Sequence, residues 1–568
     1  MYIHTIILNN LKPSLKLTLL LYFFALPIIN SFSQNFELKI YSKDSINKSV
    51  LDSIVYKPKH ADKISVYKEI DSIATILSLK GFINNSYLSE EKDSLIFCSF
   101  ILNERIKNIR IFYSDYNLDE KFVQKISKNF QNNYFEIATS KVQITLNKIS
   151  TYLESKGFSF VKVSLNNLEL SNTIISAKLN IDYSKKRTVD NIIIKGYPEF
   201  PKKYLSKYLG LKDKTVFNTS LLKKTQENLN TIPFIAQIKN PEVLFTKDST
   251  SIYLYLKKKS ISQFDGIIGF SNAKNKNSFQ VNGYLNLFLN NSFNNGETII
   301  LNWKNNGNEK TTLNLNIITP YILRSKISPS ASFNIYKQDS SYVNTTTKFK
   351  VKYDIDRSHS IGSIFNIENS NISSTTSTNN FQTFNKTLYG LSYNFTPLIV
   401  KDKNHFLLEL EYLTGKKNTN QLKNKNDKAY FFAQYLFNLN AKNKILIKNT
   451  SELINASEIS ENELYRIGGV NSIRGFEDLS IVASKYTLTN LEYQFHTNQT
   501  NYLYTITDFA YTNNNLNQSS NNLIGYGFGY NFKNKKSNID ISYALGKTKR
   551  ETFKLNNSKL HIKISYFF

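Results

Sequence analysis

Hydrophobic positions in the first part of the chain recur with helical spacing at a constant period. Lys80-Gly81-Phe82 returns as Lys156-Gly157-Phe158, and Pro233-Phe234 takes the same place again, so Phe82, Phe158 and Phe234 stand 76 residues apart. Five positions before each Phe comes a leucine (Leu77, Leu153, Leu229), and twelve before comes Ile70, Leu146 or Leu222. Ile73, Ile149 and Thr225 lie between them. Offsets of three and four put these positions on one face of a helix that ends just before the Phe. Each unit opens on a strand: Phe36 to Tyr41, Ile106 to Tyr113, and Val189 to Gly196. Each closes on a strand pair whose second members are 95–102, 174–181 and 252–256. The last two units read strand, helix, helix, strand, strand. In the first unit the leading helix is poorly defined by the pattern.

From residue 261 the period changes to two, in stretches broken by Asn-, Ser- and Lys-rich segments. The stretches are 262–270, 278–289, 297–304, 310–318, 327–337, 342–354, 359–368, 381–395, 404–413, 428–439, 443–453, 484–496, 500–511, 522–532, 537–546 and 557–568. Sixteen is an even number, and strands of about 9 to 11 residues suffice to cross a bilayer at a tilt, so the pattern predicts a closed membrane barrel. In the last strand Leu560, Ile562, Ile564, Tyr566 and Phe568 share the face that lipid would cover, and His561, Lys563 and Ser565 face the lumen. In the first strand, Gly266 and Gly269 weaken packing at the seam with that last strand. Gly525, Gly527 and Gly529 alternate along the fourteenth strand and are expected to leave room on one face for an inserted segment. Such a segment exists in the long connection 454–483.

The expected organisation is a leader at 1–33, modules at 34–104 (the degenerate one), 105–186 and 187–260, and a barrel at 261–568. The leader has Lys12 and Lys16, an apolar run from Leu17 to Ile29, and small residues before a cut after Ser33. The run is too short for a spanning helix, and no uninterrupted apolar stretch of 18 residues follows it. The expected product is an exported protein.

Composition removes several alternatives. The net charge of +28 is shared almost equally by the parts before and after residue 260 and builds no single basic face, so nucleic acid is not expected as a partner. One cysteine, Cys98, excludes an intramolecular disulfide; lying in a strand, it reads as a small core hydrophobe. Six scattered histidines show no metal-ligand spacing, and no nucleophile elbow is present. No catalytic set, metal site or cofactor is expected: the chain does not read as an enzyme.

The connection 454–483 holds Ile467-Gly468-Gly469-Val470-Asn471-Ser472-Ile473-Arg474-Gly475-Phe476. Gly468-Gly469 followed by Arg474-Gly475-Phe476, in the sixth extracellular loop of a sixteen-stranded barrel behind tandem β-α-α-β-β modules, resembles the signature of the BamA/TamA superfamily. The layout is nearer the TamA type. The resemblance implies α+β tandem POTRA domains followed by a 16-stranded antiparallel transmembrane β-barrel. It implies a bacterial outer-membrane location with the modules in the periplasm of a Gram-negative cell, and a loop that folds into the lumen to meet an acidic residue. Asp508, in Ile506-Thr507-Asp508-Phe509-Ala510, stands at the family's position, although the family usually has Gly where Ala510 stands; Glu492 is the second candidate. A guanidinium in a partly dehydrated lumen needs such a carboxylate. The implied function is receipt of unfolded outer-membrane client proteins by the modules and their insertion through a lateral seam into the surrounding lipid, with a periplasmic or inner-membrane partner at the modules. A two-partner-secretion type of polypeptide transporter and a passive pore remain as alternatives.

Overall fold

The computed structural model describes residues 36–568 apart from 43–44, 115, 117, 172–173, 273–278, 307–309, 340, 374–379, 398–403, 420–421 and 549–554. The expected leader lies outside the described residues. The chain divides into two compact units, Met1–Lys186 and Arg187–Phe568.

The first unit holds two α/β modules. In the leading one, β1 (Phe36–Tyr41) runs parallel to β4 (Leu95–Ile101), with β2 (Lys59–His60) and β3 (Ser86–Lys92) as the two edges. Helices α1 (Ser45–Asp52) and α2 (Lys63–Leu79) lie in sequence between β1 and β3. The leading module thus carries both helices and the closing strand pair, with the short β2 between its helices. Among the described side chains of α1, Leu51 is buried in the core with Val50 packed beside it, too short a stripe to read as a period. The carboxylate of Asp62 caps α2 by accepting the Ser65 amide at 2.7 Å, which holds Asp62 below the usual carboxylate range. The helix stops at Gly81, with φ +102°, where a Cβ would lie 2.4 Å from the Ile106 carbonyl oxygen. Ile70, Ile73 and Leu77 are buried from α2 against Leu38, Ile96 and Cys98.

The second module contains β5 (Asn108–Phe112), α3 (Glu120–Ile126), β6 (Asn129–Phe130), β7 (Tyr134–Ala138), α4 (Val142–Ser155), β8 (Lys162–Ser171) and β9 (Ile174–Asp182). Its sheet order is β6-β7-β5-β9-β8. The short hairpin β6–β7 between the helices is an addition that the repeat pattern does not show. Ile149 and Leu153 of α4 are buried against Ile109, Ile111, Phe135 and Leu179.

The second unit opens with β10 (Asn191–Lys195), α5 (Lys203–Lys207), α6 (Thr219–Leu229), β11 (Ile235–Phe245) and β12 (Thr250–Lys258), in sheet order β10-β12-β11. A closed sixteen-stranded barrel follows. Its strands are β13 (Gln263–Asn272), β14 (Phe279–Asn290), β15 (Thr298–Asn305), β16 (Lys310–Ile318), β17 (Ile327–Gln338), β18 (Tyr342–Asp354), β19 (His359–Ile372) and β20 (Phe384–Phe395). The ring continues with β21 (His405–Asn418), β22 (Lys423–Asn438), β23 (Asn443–Ala456), β26 (Lys485–His496), β27 (Tyr502–Asn514), β28 (Ser519–Lys533), β29 (Ser537–Thr548) and β30 (Lys559–Phe567). Two short strands, β24 (Tyr465–Ile467) and β25 (Ile481–Ala483), pair with each other inside the long connection. All sixteen expected barrel strands are present.

Alternation along the strands sorts the two faces. On β27, Tyr504, Ile506, Asp508, Ala510 and Thr512 are buried, whereas Leu503, Phe509 and Tyr511 are exposed on the outer face. The outer face elsewhere carries Val351, Leu391, Tyr412, Phe431, Tyr526 and Phe528, an apolar wall of the kind lipid covers. Among the described residues no helix is long and apolar enough to cross a membrane. The third module meets the barrel through the β14–β15, β16–β17 and β18–β19 turns. Tyr197 Oη donates to Asn294 Oδ1 at 2.7 Å and accepts from Asn291 Nδ2 at 2.8 Å. The Tyr204 ring stands edge-on to Tyr321, and Arg357 Nη1 donates to Asn228 Oδ1 at 2.6 Å. These contacts define the proximal end of the barrel. The connection 454–483 enters from the distal end.

Candidate functional site

The strand pair β24–β25 turns the long connection into a hairpin whose tip spans 468–480. Gly468 and Gly469 have φ of +120° and +89°, and a Cβ on Gly468 would lie 2.2 Å from the Glu477 carbonyl oxygen. Side chains would strain both positions, so the paired glycines set the tight bend at the base of the tip. Beyond them Ile473 is fully buried, among Ile467, Ala483, Leu488, Ala510 and Leu523 with Phe476 packed alongside. The tip is therefore clamped to the wall by an apolar cluster as well as by charge.

The charge contact centres on Arg474. Its Nε and Nη2 donate to the two carboxylate oxygens of Asp508 at 2.8 and 2.7 Å, a bidentate fork. Its backbone amide donates to Asp508 Oδ2 at 2.9 Å, and Nη1 reaches Glu492 Oε1 at 2.5 Å. Glu492 also accepts from Gln494 Nε2 at 3.0 Å. Both candidate acids thus meet the same guanidinium, one through each side of the fork. Asp508 is fully buried and Arg474 nearly so, which makes the pair one that cannot lose a partner cheaply.

Glycines bring the backbones close. A Cβ on Gly525 would lie 2.3 Å from the Arg474 carbonyl oxygen, and one on Gly475 (φ +89°) would lie 2.4 Å from the Gly546 amide nitrogen. Of the three alternating glycines on β28, only Gly525 clears space for the loop. Gly529 accommodates the Tyr504 ring, and Gly527 lies against the β29 backbone at Tyr543 and Ala544. The other glycine that serves the loop is Gly546 on β29, which a lone glycine in a strand does not advertise in sequence. A Cβ there would lie 2.4 Å from the Gly475 carbonyl oxygen.

The same tip reaches both sides of the seam. Asp478 accepts from Lys304 of β15 at 2.7 Å, and Glu477 from Lys559 of β30 at 3.1 Å. Below the loop the lumen keeps polar cavities of about 520 and 450 Å3, whose walls include Lys348, Glu409 and Glu411.

The seam itself is short. Among the described residues, strands β13 and β30 share two residue pairs, Gln263 with Phe567 and Phe264 with Tyr566, and the Phe568 amide donates to the Ser262 carbonyl at 3.0 Å. By contrast β13 shares ten pairs with β14. These seam pairs lie at the proximal end, and distal to them Ile268, Phe270, Leu560 and Ile562 are exposed. Gly266 lies on the β13 face opposite Leu285, where a Cβ would come 2.8 Å from the Tyr284 carbonyl oxygen, while beside Gly269 the nearest atom would be 3.8 Å away. Ile564 faces outward beside Ile539 of β29, and Phe568 is exposed. Asp265, buried on the lumen face of β13, is held by Asn286 Nδ2 at 3.3 and 3.4 Å.

No family model matches the chain, and no curated protein is similar to it. Among solved structures, CdiB from Escherichia coli is similar with a TM-score of 0.53 at 11% identity, over 88% of this chain and 98% of that one. CdiB from Acinetobacter baumannii is similar with a TM-score of 0.50 at 15% identity, over 82% and 90%. BamA from Haemophilus ducreyi lacking POTRA domains 1–3 gives 0.46 at 13% identity, over 80% and 98%. The likeness is one of fold: α/β modules ahead of a sixteen-stranded closed barrel.

Proposed function

We propose that this outer-membrane barrel inserts unfolded outer-membrane proteins, receiving their strands on its periplasmic modules and releasing them through the β13–β30 seam. The observation that carries the reading is the contrast between two and ten residue pairs on the two sides of β13. Unpaired backbone groups in lipid cost several kcal/mol each, so a bare strand edge facing the membrane is a strong acceptor for another strand. A client that pairs there keeps its own backbone satisfied while it enters the bilayer. The lumen, by contrast, is obstructed by a loop whose buried arginine is held by two carboxylates.

The modules supply matching edges. Strands β3, β8 and β11 are edge strands of their sheets, and they expose Leu88, Leu168, Leu170 and Ile238. An exposed edge accepts an extended segment by β-augmentation, with the apolar side chains adding contacts that tolerate many sequences. A module edge can thus hold a client strand before the barrel edge does.

The test is a cysteine pair at Phe264→Cys and Tyr566→Cys, which face each other across the seam, in a Cys98→Ser background. The full-length protein is reconstituted in phospholipid vesicles and folding of a test barrel is followed. Oxidation should abolish insertion and reduction restore it. Insertion that continues with the seam closed overturns the reading, and export of a polypeptide through the closed-seam barrel would favour passage along the lumen.

A further inference from the structure

A second charged cluster lies in the lumen, on strands remote in the ring from Asp508. Lys386 of β20 and Lys417 of β21 are both on the inner face and fully buried, and Glu463, from the arm of the loop ahead of β24, sits between them. Glu463 Oε2 is 2.6 Å from Lys386 Nζ, and its other oxygen pairs with Lys417. The ring of Phe384 covers both ammonium groups, at 4.9 and 5.4 Å from its centroid. Glu368 of β19 stands 3.6 Å from Lys386 and 2.5 Å from Lys428.

The loop arm is shaped to deliver that carboxylate. Ser460 and Glu463 form a reciprocal capping box, with the Ser460 amide donating to Glu463 Oε1 at 2.9 Å. Asn462 Nδ2 donates to Ser370 Oγ at 2.6 Å and to the Gln382 carbonyl at 2.8 Å, and its own carbonyl accepts from Asn344 Nδ2. The Glu461 amide donates to the Asn380 carbonyl. A short turn is thereby fixed to β18, β19 and the β19–β20 connection.

We infer that Glu463 is a positioning residue that locks the loop across the distal lumen independently of Arg474, and that the lock is broken by hydration of the two lysines rather than by loss of the arginine contact. Without Glu463, Lys386 and Lys417 would lose their shared carboxylate, leaving Lys386 only Glu368 at 3.6 Å, which is already paired with Lys428 at 2.5 Å, an excess of buried positive charge that a dry interior does not tolerate. Two arrangements therefore exist: loop seated and pocket dry, or loop displaced and lysines in water. The wall itself demands the loop. Arg474 secures the tip to β26 and β27, whereas Glu463 secures the arm to β20 and β21, so loss of Glu463 frees the arm and opens the lumen beside β20 and β21 even while the tip stays on Asp508.

The experiment is ion conductance of the full-length protein in planar bilayers, comparing wild type, Glu463→Gln, and Glu463→Gln carrying Asn462→Cys with Ser370→Cys in a Cys98→Ser background. Loss of one member of a buried ionic cluster should raise the open population by at least about tenfold. The oxidised cysteine pair should return conductance to the wild-type level and reduction should raise it again, which a variant that merely misfolds cannot do. Wild-type conductance in Glu463→Gln, or an increase that oxidation leaves unchanged, overturns the inference. The inference rests on the lumen being obstructed, not on insertion as such; client folding measured in the same preparations reports on the seam separately. A conductance change with insertion intact sustains the lock and the lateral route together.

Discussion

Asp508 takes three hydrogen bonds from a single residue, Arg474: one from the backbone amide and two from the guanidinium, all at 2.7 to 2.9 Å. The acid therefore fixes both the side chain and the course of the loop backbone at that point. Glu492 adds a contact to the side chain alone.

Asp508→Asn should release the tip far more than Glu492→Gln does. Removing one partner from a buried ion pair costs about 3–5 kcal/mol, and the remaining contact to Glu492 places this site at the low end. An Ile473→Cys reporter in a Cys98→Ser background, buried in the seated loop, should be labelled by a membrane-impermeant maleimide in Asp508→Asn and remain protected in Glu492→Gln. Equal protection in both would contradict the asymmetry.

Gly546→Ala should displace the loop even though it changes no charge. The added carbon would lie 2.4 Å from a backbone oxygen, and overpacking against backbone costs about 1–3 kcal/mol. Gly269→Ala is the control, since its nearest neighbour would be 3.8 Å away. Labelling of the same Ile473→Cys reporter should rise in the first variant and stay at background in the second.

Lys304 and Lys559 hold the acidic tip on either side of the seam, but both pairs are largely exposed. Each is worth about 0–1 kcal/mol and is screened once the Debye length falls to about 3 Å near 1 M salt. The double variant Lys304→Glu, Lys559→Glu should therefore speed client insertion modestly at low ionic strength and match wild type at high salt. An effect that persists at high salt would mean that the contacts act by shape and not by charge.

Cys98 should behave as a core atom. Burial pushes its thiol up to about 12, so the reactive thiolate is scarce at any pH up to 9, whereas the unfolded chain titrates near its ordinary value. Because the unfolded form loses the proton first, the module becomes less stable as pH rises through that interval. Maleimide labelling of the native protein at pH 8 should be negligible and should become complete in denaturant; prompt native labelling would refute the burial.

Alternation disclosed the barrel because lipid on one side and water on the other impose a period of two. It failed where strands leave the bilayer. Strand β22 begins at Lys423, ahead of the expected 428, and β21 continues to Asn418, because Lys423 to Asp427 and Gly415 to Asn418 are polar or lack a side chain and give no contrast between faces. In the other direction, residues 381–383 extend the expected eighth strand but serve the loop instead, with the Gln382 amide donating to Asn462 Oδ1. Arg474, Asp508 and Glu492 were legible from a motif and its setting. Glu463, Lys386 and Lys417 were not, since single lysines in a lysine-rich chain carry no spacing, and only closure of the ring brings them together.

The short seam has a counterpart in how the barrel itself must form. Strands β13 and β30 are neighbours in space yet lie at opposite ends of the barrel sequence, so their pairing carries the largest loop-closure cost of any junction in the ring. Hairpin junctions between consecutive strands can zip first, leaving a curled sheet with two bare edges as the final intermediate. On the proposed lateral route, that intermediate is also the open gate. The working state on that route is thus the last one the barrel passes through on the way to its native fold, and a mutation that hastens its closure should, by the same contact, slow client insertion.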